Sequence, residues 1–289
     1  MNNSEIVDPL FRQAVDAIDA GDISSLKQLL SSIPLLIAKR LDTPTEGYFK
    51  DPYLMWFVAD NPIRNEKLPA NIIAVTKLLI DAARKNAAKS FQQQIDYTLG
   101  LVATGRIPRE SGVQNEWIDL LIDNGATPGN GISALAHGNI EAAKHLIERG
   151  GKLTLATAVG LDLEDDVIRL TNGATKTDLQ VALMMAAFYG KSKMISFLIQ
   201  SEANVNVYLD RSSGFHSHAT ALHQAVFSGS LESVKVLVDA GADLTAKDLV
   251  YEGAPLGWAM YMQTEEPDEM KKKKYKEIEA YLVSKTENQ

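Results

Sequence analysis

A recurring pair of short amphipathic segments is the feature that most constrains how this chain can fold. Each copy has a segment of small and apolar residues that ends at a glycine, then a short turn, then a second apolar segment. The clearest copy spans residues 220–248, where Leu222, Ala225 and Val226 are spaced i, i+3 and i+4. That spacing places one buried stripe on a helix, and so short a helix cannot bury its stripe alone. The sequence therefore predicts helix pairs that stack in a row.

The ends of the first helix in this copy are marked by particular residues. Thr220 can cap the helix through its hydroxyl. Gly229 can end it, because glycine enters the left-handed region without a steric cost. After the second helix, Gly241, Ala242 and Asp243 turn the chain outward. These signals predict a helix-turn-helix unit followed by a break.

The same pattern recurs along the chain. The related segments are 14–34, 52–83, 99–127, 133–153, 155–175, 181–207 and 254–263. The alanine after the closing glycine, or its equivalent, stands at positions 126, 151, 174, 203 and 242, so the intervals run from 23 to 39 residues. Such uneven intervals indicate irregular connections between the units.

These motifs resemble the ankyrin repeat, in which T-P-L-H-x-A-A precedes a glycine and V-x-L-L-x-x-G-A-D follows. The letters T-A-L-H at 220–223 and G-A-D at 241–243 match it nearly residue for residue, and A-P-L-G-W-A at 254–259 is close. The resemblance implies an all-α, ankyrin-type helix-turn-helix solenoid of about seven to eight irregular repeats.

The strength of the resemblance varies along the chain and suggests how it is organised. We expect a single solenoid over residues 1–289. Its repeats at 178–263 are close to the consensus, those at 95–177 are short, and those at 10–84 are divergent. Residues 264–289 are expected to form a C-terminal capping helix.

Charge and cysteine content argue against several classes of function. The formal net charge is −8 and there is no cysteine. Nucleic-acid binders normally carry a basic stripe, and the one basic run here, Lys271 to Lys274, is interpreted as a solvated helix face. Without cysteine there is no disulfide, no thiolate nucleophile and no cysteine-ligated zinc. We therefore expect no nucleic-acid partner.

The lengths of the apolar runs indicate whether the chain carries a signal peptide or a membrane-spanning segment. The first thirty residues have neither a basic start nor an unbroken apolar stretch, so the sequence predicts no signal peptide. The longest apolar runs are far shorter than the ~20 residues that span a bilayer. We expect a monomeric cytoplasmic protein without a membrane partner.

Motifs typical of catalysis are incomplete in this chain. Gly190, Lys191 and Ser192 resemble the end of a phosphate loop, but Met185 stands where its first glycine should be. Neither a G-x-S-x-G serine nor an H-E-x-x-H pair occurs. The acidic clusters, such as Glu164 to Asp166, are interpreted as charges at helix starts. The sequence predicts no enzyme and no cofactor.

Three histidines leave an alternative function open. His216 and His218 are two residues apart in a predicted loop with His223 nearby, which is a plausible ligand set for zinc. In the competing interpretation His223 is a structural histidine that bonds neighbouring backbone, and the other two are exposed. A metal- or small-molecule-binding protein is therefore the alternative to a protein-binding one, and a structural spacer is a third hypothesis.

The ankyrin register implies a concave face formed by the first helices, where a partner protein would bind. Aromatic and methionine side chains dominate such contact surfaces. The register places there Met185, Phe188, Tyr189, Gln224, Phe227, Trp258, Tyr261 and Met262, with Trp56 as an additional candidate. The alternative is that some of these side chains fill gaps beneath long loops.

A long connection supplies the second candidate contact region, residues 204–219, called the finger here. Connections of this length without their own periodicity are often functional. The finger contains Tyr208, Asp210, Arg211, Phe215, His216 and His218. The sequence thus predicts a protein–protein interaction module that uses its concave face and its finger.

Overall fold

The regular structure of this protein is helical. A computed structural model describes residues 5–42, 47–59 and 66–286. These residues contain no β-strand; their one β-type pairing is an isolated antiparallel bridge between Arg40 and Tyr53. The predicted all-α fold is confirmed.

The chain divides into two compact units, residues 1–152 and 153–289. The boundary falls inside the group of short repeats predicted at 95–177. The single array that the sequence predicts over both units stays a prediction. None of the helices in the described residues has the length and apolarity that a bilayer crossing requires.

The first unit has eight helices among its described residues. They are α1 (Pro9–Ala20), α2 (Ile23–Ser32), α3 (Ile72–Asn86), α4 (Phe91–Thr104), α5 (Arg106–Glu110), α6 (Gln114–Asp123), α7 (Ile132–Ala136) and α8 (Ile140–Glu148), with 3₁₀ turns at Pro34–Ala38 and Leu54–Val58. The divergent repeats predicted at 10–84 include residues 43–46 and 60–65, which lie outside the described part of the chain.

Aromatic side chains build much of the core of the first unit. Phe11, Phe57 and Trp117 are buried completely. Trp56 is also buried, at 3% exposure, and its ring stacks on Tyr97 with the centroids 4.0 Å apart. Trp56 is therefore a core residue, and its inclusion among the exposed partner contacts is wrong.

The second unit also has eight helices among its described residues. They are α9 (Leu155–Gly160), α10 (Glu164–Thr171), α11 (Lys176–Phe188), α12 (Ser192–Gln200), α13 (Ala221–Phe227), α14 (Leu231–Asp239), α15 (Pro255–Glu265) and α16 (Glu269–Thr286), with a 3₁₀ turn at Arg211–Ser213. Residues 287–289 of the predicted capping helix lie outside the described part.

The helices of the second unit are arranged in two rows. The first helices α9, α11, α13 and α15 pack on one another in that order, and each also packs on the helix that follows it in the chain. The second helices α12, α14 and α16 pack in the same order behind them. Stacked helix pairs of this kind form a solenoid, as the sequence predicts.

Glycine makes the tight turns between paired helices possible. Gly190 and Gly229 have φ angles of +66° and +70°. A Cβ atom on Gly190 would lie 2.9 Å from the Cβ of Ser230, so this turn has no room for a side chain. The motif at 190–192 is therefore an interhelix turn, as predicted. The acidic run at Glu164 likewise opens α10.

Candidate functional site

Aromatic rings from successive repeats meet at the ends of the first helices in the second unit. Phe188, which ends α11, stacks on Phe227, which ends α13, with centroids 5.5 Å apart and planes 16° apart. Tyr189 packs edge-on against Phe188 at 5.1 Å. Phe227 is 41% exposed, and Phe188 and Tyr189 are half-buried. Repeat stacking thus brings together three residues that the sequence predicts at one surface.

The finger extends this line of rings. His216 lies 4.9 Å from Phe188 and 6.0 Å from His218, and His218 lies 6.0 Å from Trp258 of α15. The rings therefore run from α11 through the finger to α15. We call the six residues Tyr189, Phe188, Phe227, His216, His218 and Trp258 the aromatic row. The faces and edges of these rings suit apolar contacts with a partner.

Three of the predicted contact residues are buried instead. Met185 is 0% exposed, Gln224 2% and Phe215 6%. Met185 and Gln224 lie in α11 and α13, each of which is covered by the first helices on both sides and by its own second helix. Phe215 packs edge-on under Phe188 at 5.6 Å. The expectation that these three face a partner is wrong, because neighbouring helices cover Met185 and Gln224 and the Phe188 ring covers Phe215.

The remaining predicted contacts are accessible. Tyr261 is 62% exposed and Arg211 is exposed, whereas Trp258 and Met262 are half-buried. Met260, which was not among the predicted contact residues, is 52% exposed on the same helix as Tyr261. Accessibility is necessary for contact with a partner. The role of Tyr261, Arg211, Trp258 and Met262 in binding stays a prediction.

Lys191 stabilises one end of the row. Its ammonium donates to the carbonyl oxygens of Val159 and Gly160 at 2.9 and 3.0 Å and pairs with Asp162. The same ammonium lies 5.4 Å from the centroid of the Tyr189 ring. Burial raises the pKa of Tyr189 to about 12, so its hydroxyl stays neutral. The lysine of the phosphate-loop-like motif thus holds α9 and Tyr189 in place.

An exposed apolar tip escaped the sequence analysis. Leu249, Val250 and Tyr251 are 69%, 59% and 81% exposed in the loop that precedes α15. The sequence pattern that could have predicted this tip is a Leu-Val-Tyr run that does not follow helical periodicity. The tip adjoins the finger, since the Leu249 amide donates to the His218 carbonyl at 2.7 Å.

Asp248 fixes the shape of this tip. One carboxylate oxygen accepts from the amides of Val250 and Tyr251 at 3.0 and 2.7 Å. The other accepts from the Gly253 amide at 2.9 Å and from Nε1 of Trp258 at 3.0 Å. Burial alone would raise the pKa of Asp248, but these hydrogen bonds outweigh it and lower the pKa to about 2. The ionised carboxylate therefore ties the tip to the aromatic row.

His223 has a structural role. Its Nδ1 lies 2.8 Å from the Thr220 hydroxyl, and its Nε2 lies 3.0 Å from the Gly253 carbonyl oxygen. Both ring nitrogens are thus engaged in the cap of α13 and in the loop beyond it, which confirms the structural role of His223. His216 and His218, expected to be exposed, are instead half-buried. Across the described part of the chain no three His, Cys, Asp or Glu side chains are placed to hold a metal ion. The group His216, His218 and His223 therefore does not form the zinc site considered above.

Burial of His223 makes stability depend on pH. Desolvation lowers its pKa below the ordinary 6.5, although the hydrogen bond to Gly253 opposes the shift. As pH falls below 6.5 the unfolded chain takes up a proton that the folded chain does not, so stability is lost. We expect the His223 ring to titrate below pH 6.5 by NMR, with His223→Gln identifying its signal. An unshifted or raised pKa would contradict this arrangement.

The stacked helix pairs and the turns between them define a helical repeat protein. The sequence model for ankyrin repeats matches residues 132–248 in three copies. Residues 132–248 are therefore ankyrin repeats, as their motifs predict, and repeats of this kind are protein–protein interaction modules. A comparison with curated proteins finds no match.

Proposed function

We propose that this protein binds a partner protein through the aromatic row and the adjoining finger, and that it performs no catalysis. The observation that supports this most is the Phe188–Phe227 stack, which holds an exposed ring at the end of a packed helix. A ring fixed in this way loses little conformational entropy on binding. Such rings commonly supply most of the energy of an interface.

The surroundings of the row favour the same function. The exposed tip at 249–251 is held by the Asp248 carboxylate and joined to the finger through His218. An apolar tip that is already ordered loses little conformational entropy when it binds a partner. We propose that the tip is a second contact beside the row.

Phe227→Ala tests this function directly. We expect the variant to lose about 2 kcal/mol of binding energy, or roughly thirtyfold in Kd, because it removes the exposed ring of the stack. Affinity capture from the native cell would identify a partner, and calorimetry with purified proteins would measure both affinities.

Ile168→Ala is the matched control. Ile168 is 57% exposed on α10 of the same unit and takes no part in the row. It should bind as the unaltered protein does. Equal affinity for the Phe227→Ala and Ile168→Ala variants would show that the row is not the site. Trp258→Ala is less suitable, since it also removes a hydrogen bond to Asp248.

We also propose that the protein acts as a monomer in the cytoplasm and binds neither nucleic acid nor membrane. The net charge of −8 supports this, since it opposes contact with phosphate-rich surfaces. The lack of cysteine fits a reducing compartment. Light scattering on the purified chain should give the mass of one copy.

A further inference from the structure

The tetrapeptide Asn-Gly-Ala-Thr occurs twice in this chain, at residues 124–127 and 172–175. In both copies the asparagine caps the C-terminus of a helix: Asn124 follows α6 and Asn172 follows α10. An asparagine before a glycine is prone to lose its side-chain amide, because glycine has no side chain to hinder attack by its backbone nitrogen. The two identical copies should therefore react alike unless the fold distinguishes them.

The reaction open to such a pair is an intramolecular deamidation. The backbone nitrogen of the glycine gives its proton to water or hydroxide and forms a bond to Cγ of the asparagine. The bond from Cγ to Nδ2 then breaks, Nδ2 leaves as ammonia, and a cyclic succinimide remains. Water opens this ring at either carbonyl carbon and leaves aspartate or isoaspartate. The sum is one water consumed and one ammonia released, with no oxidation or reduction.

Hydrogen bonds hold the side chain and the backbone of the first copy. The Arg84 guanidinium donates to Oδ1 of Asn124 at 2.9 Å and to its carbonyl oxygen at 3.1 Å. Nδ2 of Asn124 donates to the Leu120 carbonyl oxygen at 2.8 Å. The Gly125 amide, whose nitrogen would attack, donates to the Ile122 carbonyl oxygen at 2.9 Å. Asn124 can therefore react only after several hydrogen bonds break.

The second copy is held far less. Asn172 and Gly173 are exposed, and within the described part of the chain neither the Asn172 side chain nor the Gly173 amide hydrogen-bonds another residue. The ψ angle of Asn172 is 16°, so the backbone must rotate about this bond before the Gly173 nitrogen reaches Cγ. A backbone hydrogen bond of 3.2 Å from Ala174 to Thr171 spans the turn. A Cβ on Gly173 would meet nothing within 4 Å, which leaves room for that rotation.

A third Asn-Gly pair, at residues 130–131, is also restrained. Oδ1 of Asn130 accepts from the Ile132 amide at 3.1 Å. Gly131 lies against α8, since a Cβ there would be 3.3 Å from the Ala143 carbonyl oxygen. Of the three pairs, the one at 172–173 has the fewest contacts to break.

We propose that Asn172 is a site of spontaneous deamidation in the folded protein, and that the fold protects Asn124 and Asn130. The product adds a negative charge at the C-terminus of α10, where such a charge opposes the helix dipole. Isoaspartate also lengthens the backbone between α10 and α11 by one methylene group. Because the reaction needs only water, the modified fraction increases with the age of the folded chain.

Timed incubation of the purified full chain tests the proposal. Digestion in acid followed by peptide mass spectrometry counts the chains that gain one mass unit at each asparagine, and enzymatic methylation of isoaspartate gives a second count. We expect the reaction to be about tenfold faster at Asn172 than at Asn124, which must first break hydrogen bonds. Both counts should increase faster at mildly alkaline pH. Equal rates at the two sites, or an unmodified Asn172, would overturn the proposal.

The same chain unfolded in urea is the internal control. There the two identical tetrapeptides lose their different surroundings, so Asn124 and Asn172 should react at similar rates. If Asn172 stays much faster than Asn124 in urea, the neighbouring sequence sets the difference and protection by the fold is refuted.

Two variants assign the difference to particular contacts. Arg84→Ala removes two hydrogen bonds from Asn124, so Asn124 should react several-fold faster while Asn172 is unaffected. Gly173→Ala should slow the reaction at Asn172 strongly, because its methyl group hinders the attacking nitrogen. The fold should accept that alanine, since Gly173 has no positive φ and open space around its Cβ position. An unchanged rate at Asn124 in the first variant, or at Asn172 in the second, would overturn the proposal.

Discussion

Replacing Asp248 by alanine should lower the free energy of unfolding of the second unit by about 3 kcal/mol. The carboxylate is 1% exposed and accepts four hydrogen bonds, from the amides of Val250, Tyr251 and Gly253 and from Trp258. Its removal leaves those four donors without their partner in a partly buried place. Urea unfolding of the full chain would measure the loss, and hydrogen exchange should show faster exchange at these three amides.

Asp248→Asn tests separately the hydrogen bonds that the two carboxylate oxygens accept. The amide oxygen can still accept from Val250 and Tyr251, but the NH₂ group would then face the Gly253 amide and Nε1 of Trp258. A donor that faces donors makes no hydrogen bond. We expect about half the loss of the alanine variant. If the asparagine variant is as stable as the unaltered protein, the charge of Asp248 contributes nothing to the free energy of unfolding.

The Asp248 carboxylate should also make stability fall in acid. Its pKa is lowered from 3.8 to about 2 in the folded chain. The stabilisation, about 2 kcal/mol for such a shift, is therefore complete above pH 4 and lost as pH falls towards 2. Thermal unfolding followed through this range should show a steeper decline for the unaltered protein than for Asp248→Asn. Parallel declines would refute the assigned role.

The helix pairs of the second unit could be predicted from the sequence because their signals are local. The i, i+3, i+4 spacing in 220–248, the cap at Thr220 and the turn glycine Gly229 each act within one or two helical turns. The role of His223 could be predicted for the same reason, since it lies three residues after the cap that it bonds. Short-range periodicity thus determines the repeat and its turns.

The candidate site depended on longer-range packing and could be predicted only in part. Phe188 and Phe227 are accessible because they end their helices, while Met185 and Gln224, only three residues earlier in each helix, are covered on both sides. That difference depends on how closely neighbouring repeats approach, which no single repeat encodes. The tip at 249–251 was missed because Asp248 shapes it through contacts with α15 that periodicity does not reveal.

Replacing Met185 by aspartate should lower the free energy of unfolding of the second unit by about 4 kcal/mol or more. Met185 is 0% exposed in the middle of the row of first helices. An unpaired carboxylate there would lose its hydration without gaining a charged partner, which is among the costliest single changes in a protein. Urea unfolding and hydrogen exchange across α11 would measure the effect.

Tyr261→Asp is the control that shows whether the loss of stability comes from burial or from aspartate itself. Tyr261 is 62% exposed on a first helix of the same row, so its replacement by aspartate should change stability by less than about 0.5 kcal/mol. The sequence assigns both residues to one contact surface, and only the packing of neighbouring repeats distinguishes them. Equal stability of the two variants would mean that Met185 faces solvent, and that the middle of α11 is open to a partner.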